Sequence, residues 1–243
     1  MNESLKNGLR RAAVFVAVVG VLVAPARAAD PDAVNDPFEG FNRTMFAVNE
    51  GLDKVVIKPV AQAYDTVTPL PAQAGVGNFF GNILDTRNVL NNALQGKLSE
   101  AASDLGRILI NSTIGIFGLF DVASELGLER HDEDFGQTLA VWGYQDSAFV
   151  FWPVLGPRTV RDTGGFVVDS FTDPTWYTVD KSVSTRNSLI ALGFVDIRAS
   201  LLPADKVVEE AALDKYAYIR DAYLQRRTNQ IFDGRPPRPK DDY

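Results

Sequence analysis

The one histidine of the chain, His131, stands in a charged run of Leu128, Glu129, Arg130, His131, Asp132, Glu133, Asp134 and Phe135. Imidazole beside carboxylates is the material of a metal site or of a general acid–base pair. A metal site there would lack a second histidine, and neighbouring residues of a loop point in different directions. The run therefore reads as a solvated charged loop. A serine triad would have to use the same histidine, and no Gly-x-Ser-x-Gly elbow occurs in the sequence. Gly75, Gly77 and Gly81 resemble a dinucleotide loop, but the spacing is off by one and no strand precedes it. A phosphate-binding Gly-x-x-x-x-Gly-Lys-Ser/Thr is absent as well. Small residues for close helix contact explain the glycines better. Neither catalysis, a cofactor nor a metal is expected.

Composition narrows the remaining classes. Lys6, Arg10 and Arg11 precede the apolar run Ala12 to Ala24, and Ala26, Arg27 and Ala28 form a small-x-small site. That is the layout of a cleavable signal peptide, 1–28, too short in its apolar part to span a bilayer. These residues carry four basic side chains and one acidic one, which leaves 20 Lys+Arg against 30 Asp+Glu and a formal charge of −10. Such a charge argues against nucleic acid and against electrostatic adhesion to anionic headgroups. Lipid contact, if made, is apolar. The chain has no cysteine, so it has no disulfide, no catalytic thiol and no residue to carry acyl chains.

Helices must carry whatever the chain does. Asp36, Pro37 and Glu39 are spaced as an N-cap, a proline at the first helical position and an N3 acid. Phe38, Phe41, Met45, Phe46 and Leu52 then form an apolar stripe, continued from Val55 to Ala63 with a break near Pro59. A second helix spans Val76 to Leu94, with Asn78, Asn82, Asn88, Asn91 and Asn92 as its uncharged polar face and Gly96 as its stop. A third starts at Ser99 and Glu100 and runs into the uncharged segment Ile108 to Phe120. By length this segment is buried core, or a re-entrant or interfacial piece. Thr138 to Tyr144 and Ala148 to Trp152 read as a β-hairpin turning at Gln145, Asp146 and Ser147. Further helices follow near Gly165 to Phe171 and from Val179 to Leu201. The last runs from Ala204 to Phe232, and 233–243 is a loose tail.

The opening run Asp36, Pro37, Phe38, Glu39, Gly40, Phe41, Asn42 and Arg43 resembles the first motif of the MlaA (VacJ) family. The similarity continues through Gly77, Asn78, Phe79 and Asn82, then Asn91, Arg107 and Asn111, then Gly115, Gly118 and Asp121. Asp134, Gly136, Gln137 and Thr138 follow, then Gly156, Pro157, Arg161 and Asp162, and last Tyr218 to Arg226. Together these motifs cover about 36–232.

The resemblance implies an all-α domain over 29–232: a ring-shaped, doughnut-like assembly of amphipathic helices with a central channel. It implies a non-enzymatic, passive phospholipid conduit on the periplasmic side of the outer membrane. Such a conduit removes mislocalised phospholipid from the outer leaflet. It associates with a trimeric porin and passes lipid to a periplasmic carrier that feeds an inner-membrane ABC transporter. Many members are lipoproteins acylated on cysteine, which this chain lacks, so its apolar surface is expected to hold the membrane. The asparagine face of Asn78 to Asn92 is the candidate channel lining. A soluble periplasmic lipid carrier and a porin-associated structural protein are the other classes the sequence allows.

Overall fold

A computed structural model of the protein describes residues 36–175 and 182–237. The expected signal peptide and most of the tail lie outside them. The first helix, α1, is Glu39–Leu52. It passes through a π-helical turn, Asp53–Ile57, into α2, Lys58–Val67. The break thus falls at Asp53 rather than at Pro59. Pro59 lies in the first turn of α2, where its missing N–H costs little.

Helix α3, Leu70–Leu94, begins six residues earlier than its apolar pattern suggests, with Pro71 in its first turn. It packs along α4, Leu98–Thr113. Gly96 takes a φ of +80° between them, the left-handed stop expected of it. The chain then turns through 114–120 and forms the short α5, Val122–Glu125, capped by Asp121.

Helix α6, Phe135–Val141, occupies the place expected for the first strand of the hairpin. Asp134 decides this: its carboxylate accepts the Gln137 N–H at 2.9 Å as a true N-cap. The hairpin instead pairs β1, Phe149–Trp152, with β2, Gly156–Thr159. It is antiparallel, with Phe149 opposite Thr159 and Trp152 opposite Gly156. Its turn is Pro153, Val154 and Leu155, and Gly156 has a φ of +74°.

Helix α7, Val160–Thr172, follows directly, with Thr159 as its cap. Helix α8, Val183–Ser200, begins at Ser182. The single last helix expected from Ala204 divides into α9, Leu202–Ala211, and α10, Lys215–Ile231. Asp214 caps α10 by accepting the Ala217 N–H at 3.2 Å.

Among the described residues the fold is mainly helical, with this one two-stranded sheet. Its apolar core is small. Phe149, Phe151 and Tyr216 are buried, and Met45, Phe46, Ile219, Tyr223 and Leu224 pack on them. Phe46 meets Phe151 edge-to-face with centroids 5.5 Å apart.

Elsewhere the usual distribution is reversed. Fully buried side chains are dominated by Arg107, Gln137, Asn42, Asn88, Asn91, Asn92 and Asn111. Large apolar residues face outward, among them Leu109 at 60% and Phe117 at 76% exposure. The segment 108–120 is therefore not the buried core its length favours. Its backbone turns outward through Ile116 and Phe117, both with positive φ (53° and 56°), a conformation that bulky residues rarely adopt. Among the described residues no helix is long and apolar enough to cross a membrane.

Candidate functional site

The opening motif works by tertiary contacts rather than as a capping box. Helix α1 starts at Glu39, and Phe38 at its N-cap position makes no side-chain cap bond. Asp36 turns inward: its carboxylate accepts from Asn42 at 2.7 Å, from the Tyr216 hydroxyl at 2.5 Å and from Arg220 at 3.3 Å. The buried Asn42 amide donates to the Phe149 carbonyl at 3.1 Å and accepts the Phe151 N–H at 2.8 Å. Arg43 lies over the Tyr216 ring at 4.5 Å and bonds Asp214 at 2.8 Å. Pro37, Gly40 and Phe41 stay on the exposed face. The motif fastens the start of the domain to β1 and α10.

The asparagine face is likewise a buried one. Asn82 donates to the Ser112 hydroxyl at 2.9 Å, Asn92 to Asp104 at 2.9 Å and Asn88 to Asp85 at 3.2 Å. Asn91 donates to Asp169 at 3.1 Å and accepts from Thr138 at 2.8 Å. These four are buried against other elements rather than facing solvent, Asn88 through the Glu133 N–H that it accepts at 3.2 Å. Asn78, half-buried, bonds the Leu119 carbonyl at 3.2 Å and so ties the 114–120 turn to α3. Gly77 faces Asp196, and Phe79 stacks edge-on to Phe80.

Two charged nodes lie inside. Arg107, wholly buried, sets its Nη2 between the two carboxylate oxygens of Asp121, both at 2.9 Å, and its Nε lies 3.5 Å from Asp85. Arg227 donates to Asp134 at 2.5 and 2.7 Å and to Asp162 at 2.8 Å, and the Tyr223 hydroxyl donates to Asp162 at 2.7 Å. Burial works to raise the Asp162 carboxyl, but Arg227 and Arg161 outweigh it and hold it well below the usual range. Glu133 goes the other way: burial raises it more than Lys97 and Gln95 lower it.

Gly136 and Gly165 allow this second node. A Cβ on Gly165 would collide with the Gly136 backbone, and one on Gly136 would lie 2.5 Å from Asp162 Oδ1. Arg161 carries Asp162 and caps the loop before β1, donating to the Gln145 carbonyl at 2.9 Å. Pro157 pairs with Phe151 inside the hairpin.

His131 contacts Asp104, its Nδ1 3.2 Å from Oδ1. No group of side chains able to hold a metal occurs among the described residues.

The space able to receive a ligand lies elsewhere. A cavity of 850 Å³ opens between α1, the π-helical turn and α2 on one side and α8, α9 and α10 on the other. Charged residues line it in pairs. Arg198 forks onto Asp53 at 2.7 and 2.8 Å and reaches Asp205 at 2.9 Å. Lys58 meets Asp205 at 2.9 Å and Glu209 at 3.9 Å, and Lys215 meets Glu50 at 3.2 Å. Sequence reasoning missed this site, since Asp53 and Arg198 stand 145 residues apart. The only local signal was a charged pair, Asp53 and Lys54, interrupting an apolar stripe. The cavity has no arrangement of nucleophile and base; it can hold and orient an amphiphile.

Comparison with known proteins agrees with the motif pattern. The family model described as MlaA lipoprotein matches residues 34–230. The intermembrane phospholipid transport system lipoprotein MlaA of Escherichia coli K12 is 33% identical over 223 residues, covering 90% of this chain and 87% of that protein. An uncharacterized protein of Rickettsia typhi is 32% identical over 199 residues, covering 82% and 78%. A solved chain from work on the structural basis for maintenance of bacterial outer membrane lipid asymmetry superposes with a TM-score of 0.69 at 31% identity. The match covers 82% of this chain and 99% of that one.

Proposed function

Because the chain belongs to the MlaA lipoprotein family, we propose that it is a phospholipid conduit of the outer membrane that helps maintain lipid asymmetry. It acts on the periplasmic side and removes mislocalised phospholipid from the outer leaflet. The observation that carries this reading is the reversed polarity of the fold. Many large apolar side chains face outward, where lipid tails satisfy them, while buried amides and ion pairs hold the helices together. A water-soluble carrier exposing Leu109, Ile114, Phe117 and Phe120 together would aggregate.

In this reading the 850 Å³ cavity between the first and last helices serves as the lipid channel expected of a ring of amphipathic helices. Paired charges on its wall favour a polar headgroup over bare hydrocarbon. The conduit is passive and non-enzymatic, selecting lipid by position: only lipid of the outer leaflet reaches the opening. A trimeric porin holds it in the membrane alongside its own apolar surface, and a soluble periplasmic carrier takes the lipid onward to an inner-membrane ABC transporter.

Fractionation of cells, followed by lipid analysis of the purified chain, tests the reading. Outer-membrane location with copurified phospholipid is the expected result. Recovery in the soluble periplasm would favour a carrier, and a membrane-bound chain free of lipid would favour a structural role beside the porin.

A further inference from the structure

A second cavity of 210 Å³ adjoins the first, walled by Ile57, Val154, Phe194 and Ile197. Asn49, Asp53, Arg198 and Leu201 line both, so the two spaces meet at the Asp53–Arg198 ion pair. One side of this junction is charged and the other mainly apolar. That sequence of polarities matches a phospholipid, a charged headgroup followed by hydrocarbon.

Arg198 has the geometry to read the headgroup. Its Nε and Nη2 form a fork on the Asp53 carboxylate, and Nη2 also reaches Asp205. Its Nη1 is buried and has no acceptor. A guanidinium fork fits a phosphate as well as a carboxylate, because both present two oxygens in one plane. Asp53 is the partner most easily exchanged. Its side chain is 30% exposed, so water can take it up when it leaves. It also stands at the start of a π-helical turn, a backbone irregularity frequent at functional sites. Asp205 keeps Lys58 at 2.9 Å as a second partner, which would hold it in place meanwhile.

We propose that Arg198 is the specificity-determining residue for phosphate, and that the phosphodiester of a phospholipid takes the place of Asp53 on its fork as the headgroup passes the junction. The inference rests on the conduit reading and adds to it the group that the path recognises.

The two halves of the ion pair give opposite predictions, whereas a purely structural tie between α1 and α8 would give the same loss for both. The full chain and its Asp53→Asn, Arg198→Gln and Arg198→Lys variants are purified in detergent and mixed with micelles carrying labelled phosphatidylethanolamine or labelled diacylglycerol. Bound lipid per chain is then counted, with circular dichroism as the folding check. Asp53→Asn should bind more phosphatidylethanolamine than the native chain. Arg198→Gln should bind roughly tenfold less, the loss of one charge-assisted pair. Arg198→Lys, which keeps the charge without the fork, should fall between. Diacylglycerol, which has no phosphate, should bind equally to all. Equal loss of both lipids in Asp53→Asn and Arg198→Gln would overturn the inference. Native phosphatidylethanolamine binding by a folded Arg198→Lys would do the same, and this variant decides the matter if Arg198→Gln does not fold. A native chain that binds neither lipid would instead remove the conduit reading itself, and the inference with it.

Discussion

Asn42 and Asn49 lie two turns apart on one face of α1, and each treats the edge of the hairpin as a neighbouring strand would. Asn42 bonds the Phe149 carbonyl and the Phe151 N–H. Asn49 bonds the Trp152 carbonyl at 2.9 Å and the Val154 N–H at 2.7 Å. A helix thereby satisfies the open edge of a two-stranded sheet that would otherwise be marginal. Asn42→Ala should destabilise the chain by about 2–4 kcal/mol, because two buried backbone groups lose their partners. Asn49→Ala should cost less, since Val154 is exposed and water can replace the amide. Urea unfolding of both variants checks the order.

The crossing of α6 and α7 predicts a sharp contrast between glycines. Gly165→Ala drives a methyl group into the Gly136 backbone and should cost about 3 kcal/mol or more, the upper range of overpacking. Gly40→Ala meets no atom within 4 Å and should stabilise α1 by up to about 1 kcal/mol. Thermal melting of the two variants should move in opposite directions.

Arg227 predicts a pH signature. It holds the Asp134 and Asp162 carboxyls low against the burial that raises them. Groups with lowered folded values contribute stability above their unfolded value, about 3.9, and lose that contribution as the pH falls through the folded value. Arg227→Met leaves the half-buried Asp134 with the Gln137 N–H and the buried Asp162 with Arg161 and Tyr223, and should cost about 3 kcal/mol at pH 7, the lower end for a broken buried pair. The gap between variant and native chain should narrow below about pH 4, where both carboxyls can take up protons. Urea midpoints at pH 7 and pH 3 measure it.

The outward apolar surface makes a prediction of a different kind. Phe117→Asp removes an exposed ring at a positive φ that aspartate tolerates. Stability in detergent should change by no more than about 0.5 kcal/mol. Association with phospholipid vesicles should fall about tenfold or more, the transfer value of one large apolar side chain. Vesicle flotation checks this.

Much of the helical framework was legible because it rests on local signals. Gly96 stops a helix, and the periodicity of α1, α3 and α8 is plain, whereas the caps Ser182 and Asp214 lie inside the longer helices expected there and were not read as starts. What misled was context. Thr138 to Tyr144 has strand composition, but Asp134 starts a helix that takes Thr138 to Val141 out of any strand. The asparagines of α3 read as an uncharged polar face and candidate channel lining because their partners, Asp104, Thr138 and Asp169, lie on other elements. Asp36 has the form of an N-cap, yet Tyr216 and Arg220, 180 or more residues away, take its carboxylate. In a fold that buries polar groups and exposes apolar ones, the usual inference from polarity to surface reverses.

The account stands most directly on where phospholipid accumulates in cells lacking this chain. Outer-leaflet phospholipid can be measured by its accessibility to phospholipase added to intact cells. It should rise on deletion and return to the starting level when the native gene is restored. Surface phospholipid unchanged by deletion would contradict the account.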